Sequence, residues 1–364
     1  LANLPNDAKS SMLAWRVQSQ AARAMLCLAA DNATTQMLMA KSDGIPPLIG
    51  LVKKSSPEAQ EFAASALWHM GTIPENRVTI VEAGGIKPLI SMLGAEKDAP
   101  ELAAIILVRL ARGNPDVSIE IAEKGGVLPL VKLVAGGTPG SQMMGASVLS
   151  ELALVPKNRD IIANEGGIEP IIKLLSSNAA GTPEVAARVL AHLSHEEPSR
   201  KNPDFPDDPE PAATPREDGD ASMKGSAERR ARIHISGGIS RLITMLEEKG
   251  GHKEEQLKSL GFKDDATFKV GTKEQAAITL ADIAHDNHDM QDVIIHSGGV
   301  PPLLAFTRMG SQLGQEHAAR AIWHLAALTE SQGELVGCGA IPDLVQLLKT
   351  GSPKAQEMAA AGMS

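Results

Sequence analysis

Residues 84–91 read GGIKPLIS, residues 166–173 read GGIEPIIK and residues 298–305 read GGVPPLLA. Each is a glycine pair, a β-branched residue, a proline two places later and a short apolar run. The segment recurs as Gly125-Gly126-Val127 and Gly237-Gly238-Ile239, and in weaker form at Gly44-Ile45 and Gly339-Ala340-Ile341. From Ile45 the steps to Ile86, Val127 and Ile168 are 41 residues each; those to Ile239 and Val300 are 71 and 61, and the last, to Ile341, is 41. A fixed period near forty marks a stacked helical array in which no unit buries its apolar face alone. The two long steps equal one period plus insertions of 30 and 20 residues.

Within a unit, a short amphipathic stretch such as ENRVTIVEA runs into the glycines and a second, such as IKPLISML, leaves them. A Gly, Ser or Pro break then leads into a longer helix such as PELAAIILVRLA. The glycine pair permits the left-handed bend that ends one helix, and the proline suits the first turn of the next. Ser56-Pro57-Glu58 and Thr182-Pro183-Glu184 read as cap, first-turn proline and dipole-matched acid. In the longer helix around residues 61–70, Ala63, Ala66, Leu67 and Met70 share a face that must meet the core. Glu61, Ser65 and His69, at i, i+4 and i+8, form a separate stripe. The equivalent triplets are Ser19-Arg23-Cys27, Glu101-Ile105-Arg109, Met143-Ser147-Glu151, Glu184-Arg188-His192, Glu274-Ile278-Asp282 and Glu316-Arg320-His324. Glu184–Arg188 and Glu316–Arg320 have the spacing of ion pairs along one helix. The stretches ALWHM at 66–70 and AIWHL at 321–325 place Trp68 and Trp323 directly before a stripe histidine.

The three-helix unit resembles the armadillo repeat, on the GGI-x-P-L-[IV]-x-[LM]-[LV] segment and the AA-x-x-L-x-x-L segment of the third helix. The ALW and AIW stretches also look like the third helix of plant and fungal armadillo adaptors. The resemblance implies an all-α fold, a right-handed superhelical solenoid with three helices per repeat, whose third helices line a concave groove. It also implies a non-catalytic protein-interaction scaffold or adaptor. Its groove contacts would be Glu61, Ser65, His69, Arg109, Glu151, Glu184, Arg188, His192, Asp282, Glu316, Arg320 and His324, with Trp68 and Trp323 as packing residues or aromatic anchors. In nuclear-import adaptors of this family the last stripe position is typically Asn and the middle one often Trp, which together hold an extended basic peptide. Here the last positions are Cys, His, Arg, Glu, His, Asp and His, and no middle position is Trp. Transport of a basic cargo peptide is therefore a weakened alternative. A structural subunit that holds its neighbours by its edges is the other.

Composition narrows the class. Hydrophobic residues make up 43% and aromatics only 2% of 364 residues, so the core is built from aliphatic side chains. A net charge of −9 argues against a nucleic-acid binder, which needs clustered Lys and Arg. Two distant cysteines, Cys27 and Cys338, imply no disulfide framework and suit a reducing compartment. The longest apolar run, Leu102 to Val108, is too short to span a bilayer. The chain begins LANLPNDAKS without Met, which reads as a fragment or processed form. No phosphate loop, dinucleotide fingerprint or nucleophile elbow is present, so neither enzyme activity nor a cofactor is expected. His285-Asp286-Asn287-His288-Asp289 reads as a polar loop and not a metal site. The expected organisation is one solenoid over 1–364 of about seven repeats, with an acidic Pro-rich loop at 198–223 and a second insertion at 249–273. Within the latter, EEQLKSLGF is a candidate short helix.

Overall fold

A computed structural model describes residues 6–30, 32–95, 98–195, 219–247 and 271–363, with side chains from Leu13 onward and, in the helix beginning at Gly219, from Gly225. The described residues are helical, with no strand among them. They form two compact units, Leu1–Glu165 and Gly166–Ser364.

The first unit runs α1 (Asn6–Ala29), α2 (Ala33–Lys41), α3 (Ile45–Lys53), α4 (Pro57–Met70), α5 (Pro74–Glu82), α6 (Ile86–Met92), α7 (Ala99–Ala111), α8 (Pro115–Glu123), α9 (Val127–Gly136), α10 (Pro139–Ala153) and α11 (Pro156–Asn164). The second runs α12 (Ile168–Leu174), α13 (Thr182–Ser194), α14 (Gly219–Ile235), α15 (Gly238–Glu247), α16 (Thr272–Ala284), α17 (His288–His296), α18 (Val300–Met309), α19 (Gln312–Ala326), α20 (Gln332–Gly337), α21 (Ala340–Thr350) and α22 (Pro353–Ala361). Third helices pack side by side: α1, α4, α7 and α10 in the first unit, α13, α16, α19 and α22 in the second.

Local chemistry starts and stops these helices. Ser56, Thr138, Ser311 and Ser352 each cap a third helix by accepting the N–H three residues on, an arrangement worth about 1 kcal/mol. Thr182 is not such a cap: it lies inside α13, whose N-cap is Gly181 in the left-handed region at φ 78°. The two glycines of each pair divide the work. Gly125 has φ 76°, which a side chain rarely adopts. Gly126 has helical φ, but a Cβ there would lie 2.7 Å from Ile121 Cγ2 and 2.8 Å from the Ile121 carbonyl oxygen. The first glycine makes the bend, and the second lets two backbones approach.

The predicted core face is buried: Ala63, Ala66, Leu67 and Met70 are at most 1% exposed. A polar device absent from the sequence reading closes six of the third helices. A buried side chain of the next helix donates to a carbonyl left open at the C-terminal end of a third helix. Gln36 Nε2 reaches Ala29 O at 2.7 Å, Asn76 Nδ2 reaches Met70 O at 3.0 Å and Asn158 Nδ2 reaches Leu152 O at 3.1 Å. In the second unit Arg230 Nε reaches Ser194 O at 2.8 Å, Gln291 Nε2 reaches Ala284 O at 2.8 Å and Ser331 Oγ reaches Leu325 O at 2.7 Å.

The ends of both expected insertions are helical. Helix α14 begins at Gly219 and α16 at Thr272, so residues 219–223 and 272–273 lie in helices. Residues 198–218 and 249–270, including EEQLKSLGF, lie outside the described residues.

Candidate functional site

The stripe positions sit where the third helices leave the core. Along α4, Glu61, Ser65 and His69 are half-buried while Ala63, Ala64, Ala66 and Leu67 between them are sealed. The same alternation holds at Glu101, Ile105 and Arg109 on α7, at Glu184, Arg188 and His192 on α13, and at Glu274, Ile278 and Asp282 on α16. Positions on α10 and α1 depart from it. Met143 and Ser147 on α10 are buried, and the Ser147 hydroxyl turns back to Met143 O at 2.8 Å. On α1, Ser19 is buried against Glu58, with Oγ donating to Oε2 at 2.8 Å, whereas Arg23 and Cys27 are exposed.

The glutamates at the first stripe position bind the next repeat. Glu101 accepts from Thr138 Oγ1 at 3.5 Å, Glu274 from Ser311 Oγ at 2.7 Å and Glu316 from Ser352 Oγ at 2.6 Å. Glu184 accepts from Thr272 Oγ1. In three of these the donor is the N-cap residue of the following third helix, so each carboxylate lies at a positive helix end. These glutamates are engaged between repeats, which explains their recurrence without any ligand. Glu61 and Glu316 stand beyond the first turn of their own helices, so their own helix dipole does not account for them.

Two last stripe positions of the first unit, His69 and Arg109, meet around Trp68 at the C-terminal end of α4. Arg109 Nη1 donates to Trp68 O at 2.6 Å, and its guanidinium carbon lies 5.2 Å from the Trp68 ring centre, a cation–π contact. The Trp68 and His69 rings meet edge to face at 4.6 Å. Arg77 Nε donates to Gly71 O at 2.9 Å, and Arg112 pairs with Glu151 at 3.6 Å. Burial first, then the like charges of Arg77 and Arg112, lower the Arg109 pKa to about 10. Sequence reading found Arg109 and Glu151 but missed Arg77 and Arg112. Arg112 had a signal, standing three residues after Arg109 on the same helical face.

In the second unit Arg320 Nη2 binds Asp282 Oδ1 at 2.6 Å, an ion pair that joins α19 to α16. Burial raises the Asp282 carboxyl above the ordinary carboxylate range, and Arg320 pulls it the other way. Glu316, expected to pair with Arg320 along the helix, accepts from Ser352 instead. His324 is only 7% exposed, stacked on Trp323 at 4.9 Å and edge-on to His285 at 4.9 Å. Burial, with His285 and the cations Arg320 and Arg230, lowers its pKa to about 3, so it is a neutral ring beneath the surface. Trp68 and Trp323 are both half-buried, and Trp323 packs against Gly362. Among the described residues no cluster of three His, Cys, Asp or Glu is placed to hold a metal, and no helix is long and apolar enough to cross a membrane.

Residues 156–195 and 287–327 match the family profile described as "Armadillo/beta-catenin-like repeat". The two repeats that hold these residues are armadillo repeats. A stretch of 72 residues, 19% of this chain, is 42% identical to the human Armadillo repeat-containing protein 3, of which it spans only 8%. Among solved structures, an engineered protein superposes with a TM-score of 0.75 at 25% identity, covering 96% of this chain and 74% of that one. A designed armadillo repeat protein in complex with the peptide (KR)4 superposes with a TM-score of 0.57 at 18% identity, covering 77% of this chain and 99% of that one.

Proposed function

We propose that this armadillo chain is a non-catalytic scaffold or adaptor that holds a segment of a partner protein against the stripe of its third helices. One observation carries the reading: between sealed alanines and leucines, every fourth residue of α4, α7, α13 and α16 emerges half-buried with a polar, charged or branched side chain. Within each unit, a stripe of that kind offers contacts at a helical-repeat spacing to an extended chain. His69, Arg109, Arg188, His192 and Ile278 are half-buried members of it; Glu101, Glu184, Glu274 and Glu316 hold repeats together and His324 supports the surface from below.

The designed neighbour that carries (KR)4 keeps the basic-peptide alternative alive. Against it stand the absent Asn and Trp ladder and the engagement of four stripe glutamates by hydroxyls. The edge-contact alternative also has an observation behind it, because α1 exposes Leu13, Trp15, Val17 and Leu28, each more than half exposed. The readings separate in one titration. Peptides are selected from a random display library, and their affinity is measured for the native chain, for His69→Ala, Arg188→Ala and His192→Ala, and for Trp15→Ser with Leu28→Ser. The scaffold reading expects at least a tenfold loss in the stripe variants alone. A loss confined to the α1 variant moves the edge reading to first place.

A further inference from the structure

The second unit carries an open cavity of about 580 Å³, and none of its lining residues belongs to a third helix. Its polar lining is Lys173 and Ser176 from α12 and the turn after it, Ser236 from the turn after α14, and Ser240, Arg241 and Thr244 from α15. Buried Ile172 forms the floor, and Gly238 lets α15 come down on it: a Cβ there would lie 3.1 Å from Ile172 Cδ1. No Asp or Glu lines this cavity, in a chain whose net charge is −9.

The repeat itself does not call for these side chains. Two places after the Ile or Val stand Pro47, Pro88, Pro129, Pro170 and Pro302, and Asp343 in the last unit; only Arg241 is a cation there. The position that lines the cavity from the preceding second helix is Lys173 here, and Gly50, Ser91, Lys132, Thr244 or Ala305 at the other boundaries. Two cations thus flank one boundary and no other. Neither has an ion-pair partner among the described residues, although Glu169 stands one turn before Lys173. Thr244 Oγ1 is spent on Ser240 O at 2.9 Å. The hydroxyls of Ser176, Ser236 and Ser240 have no hydrogen-bond partner among the described residues. Lys and Arg without a countercharge around a hollow attract an anion. The first turn of α15, a helix of 10 residues, borders the same hollow and adds the positive end of its dipole.

We propose that this cavity receives a phosphorylated side chain of a partner peptide, with Lys173 and Arg241 meeting its charge and the serine hydroxyls donating to its oxygens. Phosphate fits better than carboxylate, because it carries roughly two negative charges and three acceptor oxygens. Two cations and three unengaged hydroxyls match that demand. The volume exceeds what a bare ion needs and falls among ligand sites of about 300–1,000 Å³. Ile235, directly before Ser236, is 80% exposed and offers an apolar contact to a residue beside the phosphate. One such side chain is too little apolar surface to hold a membrane, which favours a peptide over a lipid headgroup. The site goes beyond the stripe reading and stands apart from it.

The test uses fluorescein-labelled decapeptide pools, degenerate except for a central phosphoserine, glutamate or serine. Anisotropy titrations are run with the full chain and with Lys173→Gln, Arg241→Gln and Lys132→Gln, each checked by its thermal melt. The phosphoserine pool is expected to bind at least tenfold more tightly than the serine pool and severalfold more tightly than the glutamate pool, and to be displaced by inorganic phosphate. Lys173→Gln and Arg241→Gln are each expected to weaken it fivefold or more. Lys132→Gln, which removes the same charge at the equivalent position of the first unit, is expected to leave it unchanged. Serine binding as tight as phosphoserine binding, or an equal loss in Lys132→Gln, overturns the proposal. So does phosphoserine binding that survives in Lys173→Gln and Arg241→Gln chains that melt normally. Phosphatidylcholine vesicles with and without a phosphatidylinositol phosphate form the last arm: capture by the phosphorylated vesicles with no preference for the phosphoserine pool assigns the cavity to a headgroup and overturns the peptide reading.

Discussion

Replacing Asn158 with Ala removes one of the buried amides that close the repeats. Asn158 is 1% exposed and its Nδ2 donates to Leu152 O at 3.1 Å and to Ser118 O at 3.2 Å, tying α11 to the end of α10 and to the first turn of α8. Each bond contributes about 1 kcal/mol net, and a carbonyl left dry costs about 1–3 kcal/mol more. Leu152 O keeps a second donor, the Val155 N–H at 3.1 Å, which softens the loss. The total is about 2–3 kcal/mol, equivalent for a unit of this size to a fall in Tm of about 4–10 °C. Lys157→Ala is the control: its ion pair with Glu123 has side chains 67% and 59% exposed, and its removal changes stability by at most about 0.5 kcal/mol. Circular dichroism at 222 nm follows both melts, and hydrogen exchange at the amides of α11 locates the effect. An Asn158→Ala chain that melts within 2 °C of the native one, or no lower than Lys157→Ala, refutes the closing role of these amides.

Gly126→Ala is expected to destabilise more than Gly125→Ala. The first forces a Cβ to 2.7 Å from Ile121 Cγ2, while the second only strains φ 76° in open space. The costs are about 2–3 against about 1–2 kcal/mol, compared by urea titration, and equal midpoints contradict the division of roles. Arg320→Met leaves the buried Asp282 carboxylate without its partner and is expected to cost about 3 kcal/mol. Asp282→Asn on top restores part of that, and a strictly additive double-mutant cycle contradicts the pairing. His324, with a pKa lowered to about 3, and His317, lowered to about 4 by burial, bind fewer protons folded than unfolded. Their contribution is whole above the unfolded value of 6.5 and is lost as pH falls through it towards those values, by up to about 1.4 kcal/mol per pH unit for each. Melts between pH 7.5 and 4.5 are expected to slope less steeply in His324→Gln, and parallel slopes contradict a neutral buried ring.

Much of the fold was legible because the repeat is spelled in backbone terms. A left-handed residue, a first-turn proline and a 3.6-residue apolar period leave marks that survive in a single sequence. The roles of individual stripe residues were harder to read. Glu184 and Glu316 have local spacing to Arg188 and Arg320, yet their carboxylates accept from Thr272 and Ser352, one repeat on. Arg320 likewise finds Asp282 in the preceding third helix. Contacts between repeats connect residues about 40 apart, and helical spacing within one helix carries no trace of them. The closing amides escaped notice for the same reason: Gln36, Asn76, Asn158 and Gln291 stand in short helices where polar residues are ordinary, and only burial distinguishes them.

The most direct test of the third-helix stripe as the contact surface is site-specific crosslinking. A photoreactive side chain is placed at Ser65 or Ile278 on the stripe, or at Val78 or Ile341 on exposed first- and second-helix positions, and irradiated with a display-selected peptide. Crosslinks at 65 and 278, with little at 78 and 341, are the predicted result. Crosslinks confined to 78 and 341 would contradict the account and place the partner on the outer helices.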